Sequence, residues 1–170
     1  HSDSVRALAF DSTGEFLATA ANDLCVRLFR VKDRSQISKL NASVSPAALA
    51  FSRDDRQLVV AGTAEESRTV GAVRTWDVQR DVKSVLNGHY HFVYATVFSP
   101  DGKLLATAGG RSLDEELSGN EIKLWNAATG IEEATLRGHT NTITSLTFSP
   151  GGEHLISVGV ARSEDKQLVG

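Results

Sequence analysis

Val93-Tyr94-Ala95-Thr96-Val97-Phe98-Ser99-Pro100-Asp101-Gly102-Lys103-Leu104-Leu105-Ala106-Thr107-Ala108 is an apolar run closed by Phe, a tight turn, and a second run of small and apolar residues. Pro100 pre-sets the backbone for the turn and Gly102 relaxes it afterwards. Both runs are rich in strand formers and bounded by turn residues, which predicts a hairpin. Working outward, Gly88-His89 stands before it. Ile122-Lys123-Leu124-Trp125-Asn126, the turn Ala127-Ala128-Thr129-Gly130 and the stretch from Glu133 to Arg137 come after it, and Gly138-His139 starts again. One unit of this kind predicts four strands.

The unit recurs. Val5 to Phe10, Pro46 to Phe51 and Ile143 to Phe148 open three further copies. Their closing Phe residues lie roughly 40–50 residues apart, a period that marks solenoids and propellers. No stretch carries useful helical periodicity, so the chain reads as all-β. Strict polar alternation fades in Leu58-Val59-Val60-Ala61 and in Leu104 to Ala108, as expected of sheets buried on both faces. The opening strands are rich in small residues, among them Ala7, Ala9, Ala47, Ala48 and Ala50. Small side chains suit innermost strands crowding toward an axis.

Gly-His, Phe-Ser-Pro-Asp-Gly and Ile-Lys-Leu-Trp-Asn, as they stand in the third copy, resemble the WD-repeat β-propeller family, and the resemblance covers essentially the whole chain. It implies one four-stranded blade per repeat, strands a to d running from a central channel outward. The expected architecture is an incomplete propeller: three blades, residues 1–41, 42–88 and 89–138, and part of a fourth, 139–170. The wording of the turns, Asn126 to Gly130 above all, looks more like bacterial members of the family than animal ones.

The chain has 170 residues, no Met, and opens at His1 in mid-repeat. Family rings close with roughly six to eight blades, so the expectation is a piece of a longer propeller. A second copy closing the ring as a cyclic dimer is the other reading. Either way, the remaining blades of its own chain or a second copy should cover the terminal blades, whose apolar faces are otherwise open. A net charge of −3 and a pI near 6.0 give no footprint for nucleic acid or an anionic membrane. Cys25 is the single cysteine, so there is no disulfide framework, and it reads as a small buried side chain.

The resemblance also implies a hydrogen-bonded tetrad in each blade: His from the Gly-His position, a strand-b Ser or Thr, an Asp in the b–c turn and the strand-c Trp. Carried over residue by residue, no set is complete. The first blade has His1, Thr19 and Asp23, with Phe29 in place of Trp. The second has Trp76 but Ala42 for His and Val60 for Thr. The third has His89, Thr107 and Trp125, with Gly119 where the Asp belongs. The fourth has His139 and Ser157, with Asp165 as its candidate acid. Stability should therefore lean on packing between blades more than on these networks. Arg27, Arg74 and Lys123 repeat a base shortly before the aromatic position and read as strand residues whose stems cover apolar surface.

Insertions are the more informative departures. The first blade passes from strand b to strand c through Ala21-Asn22-Asp23-Leu24, whereas the second inserts residues around Thr63 to Gly71 and the third around Arg111 to Asn120. The fourth extends likewise across Ala161 to Lys166. In the resembled fold these loops share one face with the d–a loops, and insertions stacked on one face of a repeat protein often mark its binding surface. The rim so formed carries Glu65, Glu66, Asp114, Glu115, Glu116, Glu164 and Asp165 against Arg68, Arg111, Arg162 and Lys166. It holds the excess negative charge of the chain and favours protein partners with basic segments.

Catalysis, metal binding and a cofactor are not expected. There is no Gly-x-Ser-x-Gly elbow, phosphate-cradling Gly loop or His-Glu-x-x-His. Asp54-Asp55 reads as turn chemistry beside Arg53 and Arg56. His89-Tyr90-His91 has no Cys or carboxylate at ligand spacing. The expected function is a non-catalytic protein-interaction scaffold using the b–c and d–a loop face. The alternative is a sensory or regulatory module of a larger kinase-, protease- or cytochrome-linked protein.

Overall fold

The computed structural model describes residues 1–67, 70–78, 82–110 and 120–160. Every regular element among them is a strand. The first blade comprises β1 (Val5–Phe10), β2 (Phe16–Ala21), β3 (Cys25–Arg30) and β4 (Gln36–Asn41). The second comprises β5 (Val44–Phe51), β6 (Gln57–Ala64), β7 (Gly71–Asp77) and β8 (Val82–Leu86), and the third β9 (Val93–Phe98), β10 (Leu104–Gly109), β11 (Glu121–Asn126) and β12 (Glu132–Arg137). The fourth contributes β13 (Ile143–Phe148) and β14 (Leu155–Gly159). The third strand expected of it falls in residues 161–170, outside the described residues. Within each blade the strands pair antiparallel in chain order. The opening strands of successive blades touch in series, β1 on β5, β5 on β9 and β9 on β13. The chain is an all-β, incomplete propeller.

The a–b turns are fastened by side chains the sequence repeats. Ser52 Oγ and Ser99 Oγ each accept from the backbone N–H five residues on, Gln57 and Leu104, at 2.9 Å, and each donates to the turn Asp, Asp54 or Asp101, at 2.6 Å. In the first blade Asp11 takes this place, accepting from the Phe16 N–H at 2.8 Å. Asp55, read from the sequence as part of a local turn, holds that place, its N–H bonding the Ser52 carbonyl at 3.0 Å, and does more besides. With φ at 57° it turns toward the first blade, where its carboxylate accepts from the Ser12 N–H at 2.8 Å and the Ser12 hydroxyl at 2.5 Å. Arg53 bonds the Pro100 carbonyl oxygen of the third blade in the same way. These turns tie blades together as well as closing hairpins.

All four blades share a register shift between their first two strands. Arg6, Ala47, Tyr94 and Thr144 are each the extra residue of a bulge between the first and second strands. A bulge increases local twist and bends its strand. Here it brings the start of the inner strand close to the end of strand b. At Gly109 the backbones approach so closely that a Cβ would overlap the Phe92 carbonyl oxygen.

Alternate residues of each strand face opposite neighbours, and the core follows that rule across blades. Leu58, Val60, Ala72 and Trp76 pack with Ala18, Ala20, Val26 and Leu28 of the first blade. Val59, Ala61 and Val73 pack instead with Val93, Leu105 and Trp125 of the third. Ala106, Ala108 and Ile122 meet Ile143 of the fourth. Where the neighbour is missing, the same positions open. Ile156 and Val158 correspond in register to Ala106 and Ala108, which are 0% exposed, yet stand 53% and 55% exposed. On the first blade Leu8 and Phe10 are 62% and 54% exposed. Cys25 shares that open face and is half-buried rather than buried.

Leu17, Leu58 and Leu105 hold one position in three blades, pairing with the closing Phe of strand a. Leu58 and Leu105 are buried, whereas Leu17 is half-buried on the open face. Leu58→Ala and Leu105→Ala are expected to lower stability by about 2–5 kcal/mol each, and Leu17→Ala by less than half as much. Urea unfolding of the three variants checks this, and equal losses would refute packing between blades as the main source of stability.

Candidate functional site

The b–c and d–a segments share one face because the backbone joins them. The N–H of Asn22 bonds the Ser4 carbonyl at 3.0 Å, Glu65 bonds Ser43 at 3.1 Å, Gly110 bonds Phe92 at 3.0 Å and Val160 bonds Thr142 at 3.0 Å. In the first blade the connection is a tight turn. The Leu24 N–H returns to the Ala21 carbonyl at 3.0 Å, with Leu24 at a φ of 59°. In the second, Glu65 and Glu66 occupy a turn and are exposed. The other expected rim residues, Arg68, Arg111, Asp114, Glu115, Glu116, Arg162, Glu164, Asp165 and Lys166, lie outside the described residues.

Behind that face sit the polar networks. His1 places Nδ1 2.9 Å from Asp23 Oδ1 and Nε2 2.7 Å from Thr19 Oγ1. Asp23 also accepts from the N–H groups of Ser2 and Cys25 and from the Arg27 guanidinium at 2.9 Å. Burial works to raise the Asp23 carboxyl, but the hydrogen bonds from Ser2 and Arg27 outweigh it and hold the group below its ordinary range. In the third blade Thr107 Oγ1 lies 2.7 Å from His89 Nε2 and accepts from the Trp125 indole N–H at 2.7 Å. His139 Nε2 meets Ser157 Oγ at 2.7 Å in the fourth. Trp76 is buried in the second blade, where Ala42 and Val60 supply neither the His nor the hydroxyl.

Sequence reasoning missed that two of the strand-c cations belong to these networks. Arg27 bonds the tetrad acid directly. Lys123, 6% exposed, donates to Glu132 at 2.9 and 3.0 Å and to Thr135 at 3.0 Å, with Glu121 at 3.6 Å. The hydrogen bond from Thr135 and the contact with Lys123 overcome desolvation and hold the Glu132 carboxyl below its ordinary range. So the stem-on-surface reading of Arg27 and Lys123 gives way to buried ion pairing. The signal was one strand away: Glu132 stands opposite Trp125 in the β11–β12 register, beside a shift that sequence spacing hides.

Chemically, the arrangement braces the blades. Among the described residues no three His, Cys, Asp or Glu side chains converge as a metal site. Burial, reinforced by the nearby Lys123 charge and only partly opposed by Glu132, pushes His89 down to about 4. It is a neutral structural imidazole at physiological pH.

The family model described as "WD domain, G-beta repeat" matches residues 1–30, 80–126 and 130–169. The chain belongs to this WD-repeat family. It is similar to the nuclear distribution protein nudF of Aspergillus niger, 33% identical over 99% of this chain and 39% of that one. It is also similar to the nuclear distribution protein PAC1 of Arthroderma benhamiae, 25% identical over 94% of this chain and 34% of that one. Protein tipD of Dictyostelium discoideum is 27% identical over 96% of this chain and 24% of that one. The chain thus spans between 24% and 39% of the length of these curated relatives. The solved structure of U3-55K shares the fold, with a TM-score of 0.73 at 18% identity over 86% of this chain and 43% of that one. These relatives are eukaryotic, so the bacterial cast read from the Asn126–Gly130 turn finds no support.

His89 yields a pH prediction. Its pKa is about 4 in the fold against the ordinary 6.5. The unfolded chain therefore binds the proton first as pH falls. The stability held by neutral His89 is complete above pH 6.5 and drains as pH falls toward 4, with a slope of up to about 1.4 kcal/mol per pH unit. Unfolding midpoints measured from neutral pH downward should fall less steeply for His89→Gln than for the native protein, and parallel curves would refute the assignment. Thr107→Val strands two buried partners and is expected to cost about 1–3 kcal/mol, read in the same assay.

Proposed function

We propose that the chain is a non-catalytic protein-interaction scaffold whose partners dock on the b–c and d–a loop face. The observation that carries this reading is the exposed Glu65–Glu66 turn, fixed to the d–a segment by the Glu65–Ser43 backbone bond. A rigid stack of blades behind a raised, acidic turn offers a preorganised surface, which lowers the entropic cost of binding. Membership of the WD-repeat family supports the same reading, since its members typically serve as platforms for other proteins. An acidic face steers partners bearing Lys- or Arg-rich segments. Neither a cofactor nor a metal enters this function.

The open faces at Leu8 and Phe10 and at Ile156 and Val158 call for further blades, supplied by the rest of a longer chain or by a second copy. Light scattering across a dilution series separates the two: a dimer that holds its mass supports the second copy, and a monomer rules it out.

Reversing Glu65 and Glu66 together with Asp114, Glu115 and Glu116 to Lys should weaken capture of a Lys/Arg-rich partner by about tenfold or more at low salt. The loss should shrink as salt rises. Unchanged capture in a titrated pull-down would move the interface off this face.

A further inference from the structure

Between the first and second blades lies a cavity of about 290 Å³. It lies where the second blade has neither the His nor the hydroxyl of the third. In the third blade His89 and Thr107 cover the Trp125 ring, the imidazole and indole centroids lying 6.2 Å apart. In the second blade Ala42 and Val60 hold those places, and both line the cavity beside Trp76. Two small apolar side chains thus stand where the third blade has an imidazole and a hydroxyl.

The charges beside this cavity are also inverted. Opposite the strand-c aromatic, β12 of the third blade carries Glu132, and opposite Lys123 it carries Thr135. The same register places in the second blade set Lys83 opposite Trp76 and Val85 opposite Arg74. Lys123 is thus satisfied by its own blade. Arg74 faces a valine and has a second cation close by. Among the described residues Arg74 and Lys83 make no hydrogen bond or ion pair, and both line the cavity. A half-buried guanidinium that forms no ion pair among the described residues keeps its donors for a carboxylate.

We propose that this cavity is a docking site for an acidic peptide segment, one apolar side chain entering beside the buried Trp76 while flanking carboxylates meet Arg74 and Lys83. Charge complementarity selects the anion. The size selects a side chain: the volume sits just under the range of about 300–1,000 Å³ usual for small-molecule pockets. A peptide is favoured over a lone anion because Lys83 and Val85 belong to β8, the outer strand of its sheet, whose far edge is unpaired among the described residues. An extended segment can add to such an edge with alternate side chains pointing inward. Glu66 lines the loop-side mouth and repels carboxylates there, which orients the bound segment toward the two cations. The site adjoins the loop face and shares Ser43 and Glu66 with it, but its two cations lie on β7 and β8, so its test stands whatever becomes of the loop-face reading.

The test is fluorescence anisotropy of a labelled, capped peptide, Asp-Glu-Leu-Glu-Asp, titrated with the intact protein at low ionic strength. Saturable binding is expected. It should fall about tenfold or more for Arg74→Gln with Lys83→Gln, and likewise for the probe with Asn and Gln in place of its acids. Ala42→His with Val60→Thr refills the cavity as His89 and Thr107 do in the third blade. It should keep the fold, judged by its melting curve, and lose binding to the same degree. Absence of saturable binding, equal binding by the refilled protein, or undiminished binding of the amide probe would each overturn the proposal.

Discussion

A four-stranded sheet that is apolar on both faces cannot stand by itself in water, and each blade here is such a sheet. What holds the chain is the contact of one blade's face with the next. Ala18 and Ala20 of the first blade meet Leu58, Val60 and Trp76 of the second, while Val59 and Ala61 turn the other way to meet Leu105 and Trp125. Burial of apolar area stabilises by about 25 cal/mol per Å², and it accrues once per interface. Stability is therefore roughly a sum over neighbours. The same side-chain positions are 0% exposed at Ala106 and Ala108 inside the array and more than half exposed at Ile156 and Val158 at its end. Whether a residue is core is decided by the presence of the next blade.

The polar networks are secondary to this and have drifted accordingly. A typical hydrogen bond contributes about 0.5–1.5 kcal/mol net, while a buried group left without a partner costs more. Drift that replaces a member is then tolerated where bare deletion is not. The first blade has Phe29 in place of the indole but holds Asp23 with His1 and Arg27. The third lacks an Asp at residue 119 and carries an internal Lys123–Glu132 pair. The second discards the His and the hydroxyl together, which leaves an apolar cavity instead of two orphaned polar groups.

Much of this was legible in the sequence. The closing Phe of each inner strand, the Ser-Pro-Asp-Gly type of turn and the unbroken apolar run from Leu58 to Ala61 are local signals, and they yield the strands and their order. The pairs His1–Thr19, His89–Thr107 and His139–Ser157 were legible because the family pattern fixes both members. The bulges at Arg6, Ala47, Tyr94 and Thr144 were not. These residues share no chemistry, and a bulge is a demand of geometry that many side chains satisfy. The partners of Lys123 were hidden for a related reason: the shift between Leu124 and Trp125 offsets the β11–β12 pairing from simple counting. The second role of Asp55 was hidden because its partner, Ser12, belongs to another blade, and contacts between blades leave no trace in local spacing.

A repeat scaffold acquires individuality where one repeat departs from the rest without endangering the stack. Insertions between strands b and c do so at the loop face, where the backbone bonds of Asn22, Glu65, Gly110 and Val160 keep the blade closed beneath them. Loss of a network does so in the seam between blades. Removing His and Thr from the second blade leaves Trp76 at 2% exposure within its cluster, so the apolar contact that carries the interface persists while volume opens beside it. Arg74 and Lys83, which make no hydrogen bond or ion pair among the described residues, line that volume. Chemical novelty thus arises at the positions that the packing of blade on blade leaves unconstrained, which are the loop face and the outer edge of the seam.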